Sequence, residues 1–400
     1  MRAGGAELDA ADPLARYRER FLPAPGVAAY LDGNSLGRPL AASVDRVDAV
    51  MREQWAERLI RGWDESWLEL PVQIGDELGR VTLGAASGQT VIGDSTTVLL
   101  YKLIRAALEL RPGRTEIVID RDDFPTDRYL VESIAAERGL TVRWIDEADV
   151  TPERVASVLT DRTAVVVLSA IAYRSGYLAD LPEITSLVHE SGALMLWDLC
   201  HSAGVLPHEL DAWGVDLAVG CGYKYLNGGP GAPAFAYVAA RLHDGFRQPI
   251  TGWIGSARPF EMGQGYQPGD GMRRVLSGTP SILAMAGLQG TVALIEEAGI
   301  DAIRAKSIAL TEFAIAAADE LLPDAALASP RDPARRGSHV TLDHPAFEAL
   351  MPRLWERGVI PDFRRPSGIR LGLSPLSTSF AEVEVGVRAI AEELRVETAR

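Results

Sequence analysis

The chain has few of the residues that cross-link small folds or bind metal ions. Only two of its 400 residues are cysteines, Cys200 and Cys221, and only six are histidines. Two cysteines cannot form a disulfide framework, and no CxxC or HExxH spacing occurs, so we expect neither a disulfide scaffold nor a common zinc site. This low cysteine content favours a reducing, cytoplasmic location.

Excess basic charge and long apolar runs are also missing. Forty Lys and Arg residues stand against 55 Asp and Glu residues, for a net charge of -15. Because phosphate binding requires a basic face, we expect no nucleic-acid partner. The apolar run 163–173 is about half of the roughly 20 residues that a membrane-spanning helix needs. The first 25 residues are too charged for a signal peptide, so we also expect no membrane partner.

Short apolar runs alternate with amphipathic stretches through the middle of the chain. Runs that are apolar throughout and separated by helical patterns predict a mainly parallel sheet with helices on both sides. In such a fold, ligands bind at the carboxyl ends of the strands. The predicted strands are Glu116–Asp120, Thr141–Ile145, 164–169, 194–197 and 217–219.

The pattern changes after about residue 281. Long helical patterns cover 282–297, 301–322 and 380–397, around a short strand candidate at 339–342. This arrangement predicts a smaller α+β domain at the C-terminus. The polar stretch 329–338, which contains two prolines and three arginines, is predicted to be a loop.

The segment 194–231 carries the strongest chemical signal. A predicted buried strand ends in Asp198, a second ends near Val219, and Lys224 follows in a glycine-rich loop. Pyridoxal phosphate (PLP) chemistry requires a carboxylate that keeps the pyridine nitrogen protonated and a lysine that holds the aldehyde as an imine. Asp198 and Lys224 fit these roles, although a helix-capping aspartate and a solvent-exposed loop lysine would look the same in isolation.

A resemblance to a known family favours the first interpretation. The segment GYKYLNGGPG at 222–231 resembles the lysine motif of the kynureninases, which are fold-type I PLP enzymes. Each further motif is weak alone, but all occur in the order that this family shows, across about residues 30–380. They are YLDGNSLG (30–37), LIRGWDESW (59–67), GDSTTV (93–98), DFPTD (123–127), YRSG (173–176), GWIG (252–255) and GIRLG (368–372).

The resemblance implies a fold and a domain arrangement. The fold would be α/β of the PLP-dependent transferase-like fold type I, with a mainly parallel central sheet between helices and a smaller C-terminal α+β domain. Residues 1–42 would be an N-terminal arm that packs on the small domain, residues 43–285 the large PLP-binding domain, and residues 286–400 the small domain. The family also implies a homodimer with shared active sites.

The same resemblance implies roles for individual residues. Lys224 would carry the cofactor and act as a base, with Tyr223 as the candidate proton donor. Arg370 would hold the substrate carboxylate, a task suited to its two-pronged donor, and Asn34 would line the pocket. Trp253 and Thr279 would reach the phosphate from the second subunit. The implied cofactor contacts are Thr96, Thr97, Phe124, Asp127, Ser169, Asp198, His201, Tyr223, Lys224, Trp253 and Thr279.

The implied reaction is the hydrolytic cleavage of the Cβ–Cγ bond of L-kynurenine, which gives anthranilate and L-alanine. Several positions depart from the family pattern: Ile254 and Ser256 in the GWIG region, 170–172 before Tyr173, and Ser377 near the end. Because these positions contact or neighbour the substrate in relatives, a ring-substituted kynurenine or a different amino acid stays open.

Two alternatives remain at this point. One is another fold-type I enzyme, such as a β-lyase, a cysteine desulfurase or an aminotransferase. Desulfurases usually carry a catalytic cysteine on a loop in the small-domain half, and neither Cys200 nor Cys221 lies there. The other is a non-catalytic binding module that has kept the fold.

Overall fold

A seven-stranded sheet forms the centre of the larger part of the molecule. The computed structural model describes residues 4–146 and 149–399. The strand order is β2-β8-β7-β6-β5-β3-β4, and β8 is the one described strand in this sheet that runs opposite to the other six. The strands are β2 (Thr90–Gly93), β3 (Glu116–Asp120), β4 (Thr141–Ile145), β5 (Thr163–Ser169), β6 (Leu194–Asp198), β7 (Leu217–Cys221) and β8 (Ala234–Val238).

The predicted parallel sheet is confirmed, with two additions. All five predicted strands are present, within two residues at their ends, whereas β2 and β8 were missed. β2 has only four residues, and β8 alternates alanine with larger side chains, so neither gives the continuous Val/Ile/Leu signal of a central parallel strand. Both strands are nonetheless completely buried.

Helices cover both faces of this sheet because its strands are apolar on both sides. Val166 and Leu168 of β5 pack into one hydrophobic cluster, while Val165 and Val167 pack into a second cluster on the opposite face. This division follows from the two-residue alternation of side chains along a strand. The helices of this part are α2 (Ala41–Ala49), α3 (Leu70–Leu78), α4 (Thr96–Leu110), α5 (Pro125–Arg138), α6 (Pro152–Val158), α7 (Leu181–Glu190) and α8 (Ile282–Ala298).

Shorter helical turns connect these elements. The segments Val50–Ala56, Trp63–Trp67 and Gly79–Leu83 are π-helical. Turns of 3-10 helix occur at Ala15–Arg20, Leu59–Arg61, Ala240–Leu242, Gly271–Val275 and Pro333–Arg335.

A second sheet of five strands, in the order β1-β11-β12-β10-β9, organises the C-terminal part. Its strands are β1 (Ala29–Leu31), β9 (Ala326–Leu327), β10 (His339–Asp343), β11 (Val359–Arg364) and β12 (Gly368–Gly372). Its helices are α9 (Ile300–Leu321), α10 (Phe347–Glu356) and α11 (Phe380–Thr398), and the N-terminal helix α1 (Gly5–Ala11) lies beside α11.

The N-terminal segment is attached to this second sheet. β1 pairs in parallel with β11, and both carboxylate oxygens of Asp9 accept hydrogen bonds from backbone amides at the start of α11. The domain boundaries at residues 42 and 285 stay a prediction. Residues 1–3 of the predicted arm, 147–148 of the large domain and 400 of the small domain lie outside the described residues.

The direction of the strands brings several chain segments to one edge of the large sheet. β2, β3, β5, β6 and β7 all point the same way, so the residues that follow them meet at their common carboxyl edge. The second sheet faces this edge, because Thr341 of β10 and Arg370 of β12 hydrogen-bond to the turn after β5. The cleft between the two sheets contains the candidate site.

Candidate active site

Lys224 lies in the loop after β7 and points into the cleft. Its side chain is 9% exposed, and its Nζ is 2.9 Å from Nε2 of His201. The same Nζ lies 5.7 Å from the ring centre of Phe124 and 6.0 Å from that of Tyr223. The predicted attachment lysine is therefore buried among aromatic side chains and one imidazole.

A tight approach of the N-terminal segment holds the lysine loop in place. Gly37 donates its backbone N–H to the carbonyl of Tyr223 at 2.8 Å. A Cβ atom at position 37 would lie 2.2 Å from Oδ1 of Asn227 and 2.4 Å from the carbonyl of Lys224. Only glycine fits there, which gives the YLDGNSLG motif a structural reason.

His201 is held in the neutral form. Burial lowers its pKa well below the ordinary histidine value, and the positive charges of Lys224 and Arg370 lower it further. A neutral imidazole that accepts a hydrogen bond from Lys224 at Nε2 carries its own hydrogen on Nδ1. That Nδ1 is buried and has no hydrogen-bond partner among the described residues, so one donor is left to face a ligand.

Three buried carboxyl groups lie near the carboxyl ends of β3 and β6. Asp123, Asp127 and Asp198 are 5%, 1% and 6% exposed. Asp123 accepts from the hydroxyl of Ser169 at 2.5 Å, and Asp198 accepts from the backbone N–H of Cys200 at 2.7 Å. Burial, and then the neighbouring charges of Asp198 and Asp123, raise the pKa of Asp127 well above its ordinary range.

This carboxyl cluster fits the protonated ring nitrogen of PLP. Oδ2 of Asp127 is buried without a hydrogen-bond partner in the described part of the chain, and Lys224 is the cation that most stabilises its charged form. A positively charged N–H donor placed among these carboxyl groups would relieve their mutual repulsion and satisfy a free acceptor. Asp198 and Asp127, both predicted contacts, are the residues positioned to hold it.

The start of α4 offers a place for the cofactor phosphate. Ser95 caps the helix by accepting from the backbone N–H of Val98 at 3.4 Å. Thr96 and Thr97 occupy the first turn, where backbone N–H groups have no partner within the helix. The hydroxyl of Thr96 lies 3.8 Å from the thiol of Cys200, close to the end of β6. The N-terminus of this 15-residue helix is the positive end of the helix dipole, which favours the binding of an anion.

Arg370 forms the centre of a second polar cluster in the cleft. It is 1% exposed, donates to the carbonyl of Tyr173 at 2.5 Å and to the hydroxyl of Ser35 at 2.8 Å, and pairs with Asp362 at 2.7 Å. With the Asn34 amide oriented to match its neighbours, its oxygen accepts from Nε of Arg370 at 3.0 Å. The predicted pair of substrate residues is therefore in direct contact.

Sequence reasoning missed several partners in these clusters. Asp123 and Ser35 stand inside recognised motifs but were not singled out. Asp362 and Arg364 form an ion pair at 2.7 Å, and Asp362 lies opposite Arg370 in the β11–β12 register. His339, on β10, is fully buried with its ring 5.5 Å from that of His201. Only the pairing of β10 and β11 with β12, which no local pattern encodes, could have identified Asp362 and His339.

Trp253 and Thr279 lie in a different environment from Lys224. Trp253 packs edge-on against Trp63, with 6.0 Å between ring centres, and Trp63 packs against Trp67. Thr279 lines a cavity of about 290 Å³ together with Trp63 and Trp67. The two residues predicted to act in a second subunit thus share Trp63 as a neighbour at the molecular surface.

The positions that depart from the family pattern occupy distinct places. Ile254 is fully buried in the hydrophobic cluster under β7 and β8, and Ser377 is buried in the turn before α11. Ala170 is also buried, and its backbone N–H donates to the carbonyl of Asp198 at 2.8 Å. Of these three, Ala170 borders the carboxyl cluster directly.

Comparison with known proteins identifies the family. A model of the kynureninase C-terminal domain matches residues 303–390, and a model of the Cys/Met metabolism PLP-dependent enzymes matches residues 79–232. The kynureninase of Pseudomonas fluorescens is 40% identical over 396 residues, which cover 97% of this chain and 94% of that protein. The chain belongs to the kynureninase family. The kynureninase of Burkholderia pseudomallei (strain 1106a) is also 40% identical, over 98% of this chain and 95% of its own length.

Solved structures agree on the fold. An apo cysteine desulfurase from Thermococcus onnurineus NA1 superposes with a TM-score of 0.82 at 17% identity, over 95% of this chain and 98% of that one. A C-DES mutant with glycine covalently linked to its PLP cofactor also gives 0.82, at 19% identity, over 94% and 99% of the two chains. At these identities the likeness concerns the fold alone, and it confirms the predicted fold type I.

Proposed function

We propose that the chain is a PLP-dependent hydrolase that cleaves the Cβ–Cγ bond of L-kynurenine, or of a ring-substituted kynurenine, to anthranilate and L-alanine. The observation that carries the proposal is the buried Lys224 amine, 2.9 Å from a neutral imidazole, in a cleft with a carboxyl cluster and Arg370. When bound, PLP supplies an electron sink for the carbanion that forms beside the substrate amine. Membership of the kynureninase family favours this reaction over the other fold-type I activities.

The charged and neutral side chains of the site have different proposed roles. Lys224 would hold the cofactor aldehyde, and its amine would take the proton from the substrate Cα. The neutral ring of His201 accepts a hydrogen bond from this amine and so keeps it directed into the cleft. Asp198 and Asp127 would keep the proton on the ring nitrogen, and Arg370 would bind the substrate α-carboxylate.

Tyr223 is the proposed proton donor to Cβ after the carbon–carbon bond breaks. Burial raises the pKa of its phenol above the ordinary value, and nearby Cys221 and Cys200 raise it further. The phenol therefore keeps its proton until a strongly basic carbanion forms next to it. Its ring lies 6.0 Å from Nζ of Lys224, on the same side of the cleft.

The remaining predicted contacts complete the proposed cofactor site. Phe124, which lies beside Lys224 and packs edge-on against Tyr173, would stack on the cofactor ring. Thr96 and Thr97 would bind the phosphate at the start of α4, and Ser169 would act next to the cofactor through its bond to Asp123.

We also propose a homodimer in which Trp253 and Thr279 complete the partner's phosphate site. The surface around them exposes large apolar side chains, among them Trp55 (53%), Phe260 (47%) and Met262 (72%). Clustered exposed apolar groups are typical of surfaces that bind another protein. A cytoplasmic location is part of the proposal and rests on the free thiols of Cys200 and Cys221. In the described part of the chain, no helix has the length and apolarity required to span a bilayer.

The shared site can be tested by mixing two inactive variants. In a mixed dimer of Lys224→Ala and Trp253→Ala, both substitutions fall in the same shared site, so the other site keeps both residues. We expect co-expression of the two variants to restore part of the activity that each lacks alone. A monomer in sedimentation velocity with full activity, or no recovery from mixed dimers that have been isolated, would contradict the shared site.

The activity itself is tested by a product assay on a small panel. Purified, PLP-loaded protein should release anthranilate from kynurenine, or hydroxyanthranilate from 3-hydroxykynurenine, and should leave alanine and cysteine unchanged. Release of sulfide from cysteine or formation of a keto acid would instead support a desulfurase or an aminotransferase. A loaded protein that converts none of these compounds would overturn the proposed reaction.

A further inference from the structure

The only two cysteines of the chain lie side by side at the cleft. Cys200 comes two residues after Asp198 at the end of β6, and Cys221 ends β7. Asp198 pairs with Val219 in the parallel register, and the backbone N–H of Leu199 donates to the carbonyl of Val219 at 2.7 Å. The ladder ends there, and Cys200 lies in the turn that follows β6, beside the last residue of β7.

This placement suits a disulfide bond. A disulfide requires about 4.4–6.8 Å between Cα atoms, and the ends of adjacent strands, which lie roughly 4.8 Å apart, bring residues to a separation of this order. The two thiols interact by a side-chain hydrogen bond, and Sγ of Cys221 lies 3.8 Å from the carbonyl oxygen of Cys200. The two cysteine side chains are therefore neighbours.

We propose that Cys200 and Cys221 are a peroxide-sensitive modification site, in which the two thiols are reversibly oxidised to a disulfide that disables the cofactor site. This inference concerns the thiols alone and does not depend on the identity of the substrate.

The two sulfur atoms have different roles in the oxidation. Burial raises the pKa of Cys221, but the hydrogen bond from Cys200 and the charge of Lys224 outweigh this, so the pKa is lowered overall. The hydrogen bond with Cys221 and burial raise the pKa of Cys200 well above the ordinary value. Cys221 is thus the nucleophile, because the thiolate is the reactive form, and Cys200 is the resolving thiol.

The reaction balances with hydrogen peroxide as the oxidant. The Cys221 thiolate attacks one peroxide oxygen, the O–O bond breaks, and hydroxide leaves as a sulfenic acid forms on Cys221. The Cys200 thiol then attacks this sulfur, the S–O bond breaks, and water leaves as the disulfide forms. The two sulfurs lose two electrons in total, and the peroxide gains them.

The disulfide would disturb residues that hold the cofactor. Cys200 donates its backbone N–H to Asp198, its thiol lies 3.8 Å from the hydroxyl of Thr96, and it directly precedes His201. Cys221 is three residues before Lys224. Shortening the sulfur–sulfur separation to about 2.05 Å pulls both loops together and shifts these side chains. Because the thiols are 8% and 2% exposed, we expect slow oxidation that bound cofactor slows further.

Mass spectrometry tests the inference without any variant. Holoenzyme and cofactor-free protein are treated with hydrogen peroxide, alkylated without reductant and digested. We expect a cross-linked peptide that contains Cys200 and Cys221, which forms faster in the cofactor-free protein and disappears with a thiol reductant as cofactor binding returns. Two fully alkylated cysteines, or sulfinic acid without a cross-link, would overturn the proposal.

Single variants separate the two roles. In Cys200→Ser, the hydroxyl keeps a hydrogen-bond donor beside Cys221, whose sulfenic acid cannot be resolved, so dimedone should label it. In Cys221→Ala, Cys200 should remain largely unlabelled under the same treatment. Equal labelling in both variants, or loss of cofactor binding at the same rate in Cys221→Ala as in the unsubstituted protein, would contradict the assigned chemistry.

Discussion

Asp123 should make the free energy of unfolding of the cofactor-free protein depend on pH in a pH range where aspartates with an ordinary pKa contribute no such dependence. Burial raises the pKa of Asp123 from 3.8 to about 6, and the charge of Asp198 adds to the rise, against the hydrogen bond from Ser169. A carboxyl group whose pKa is raised by folding favours the folded state at low pH. This contribution is complete below the unfolded pKa and is lost as the pH rises through the folded value.

The size of the effect follows from the shift. A difference of roughly two pKa units corresponds to about 3 kcal/mol when the group is fully ionised. Part of this is already lost at pH 5, so the free energy of unfolding should fall by roughly 1 kcal/mol between pH 5 and pH 7 through Asp123 alone. Asp123→Asn removes the titration and keeps an acceptor oxygen for the hydroxyl of Ser169.

Urea denaturation of the cofactor-free proteins measures this difference. The free energy of unfolding of Asp123→Asn should fall less between pH 5 and pH 7 than that of the unsubstituted protein, whatever the absolute stability of the variant. Asp319→Asn is the control, because the exposed Asp319 pairs with Arg331, which lowers its pKa below this range. Identical pH slopes for Asp123→Asn and the unsubstituted protein would refute the reasoning.

Three further outcomes are expected. Lys224→Ala should abolish turnover and borohydride trapping of PLP; a label trapped on another lysine would show that the attachment site is wrong. Arg370→Ala should raise the KM for the substrate far more than the dissociation constant of PLP, and unchanged kinetics would remove it from the pocket. Asp12→Ala should lower the free energy of unfolding by about 3–5 kcal/mol in urea denaturation, because it leaves the buried ammonium of Lys306 unpaired. A loss below about 1 kcal/mol would contradict this.

The local sequence pattern was sufficient to predict the central sheet and the position of Lys224. Buried parallel strands have a continuous apolar signature, so β3 and β4 were predicted with correct bounds, and the chain order after β6 and β7 placed Asp198 and Lys224 at one edge. β8 was not predicted because it runs antiparallel in the interior of the sheet, and its five residues do not indicate which strands it pairs with. The helix α11 was predicted at its first residue, where Ser379 and Glu382 form a capping box.

The electrostatics of the site could not be predicted in the same way. The raised pKa of Asp127 depends on Asp198, 71 positions away in sequence, and on the depth of burial of both. The ion pair of Arg370 with Asp362 depends on the register of β11 against β12. Motif resemblance found both aspartates of the first pair but only Arg370 of the second, since a motif records residue types, whereas the charges that act on each residue come from the tertiary fold.

The charged residues of the cleft determine how the cofactor and the amino-acid part of a substrate are oriented, but they do not determine which substrate is selected. The carboxyl cluster, Lys224 and Arg370 can orient a ring nitrogen, an amine and an α-carboxylate, and these groups are common to every amino acid bound to PLP. None of these contacts reaches the group that leaves from Cβ. Selection of a kynurenine must therefore come from other residues of the cleft.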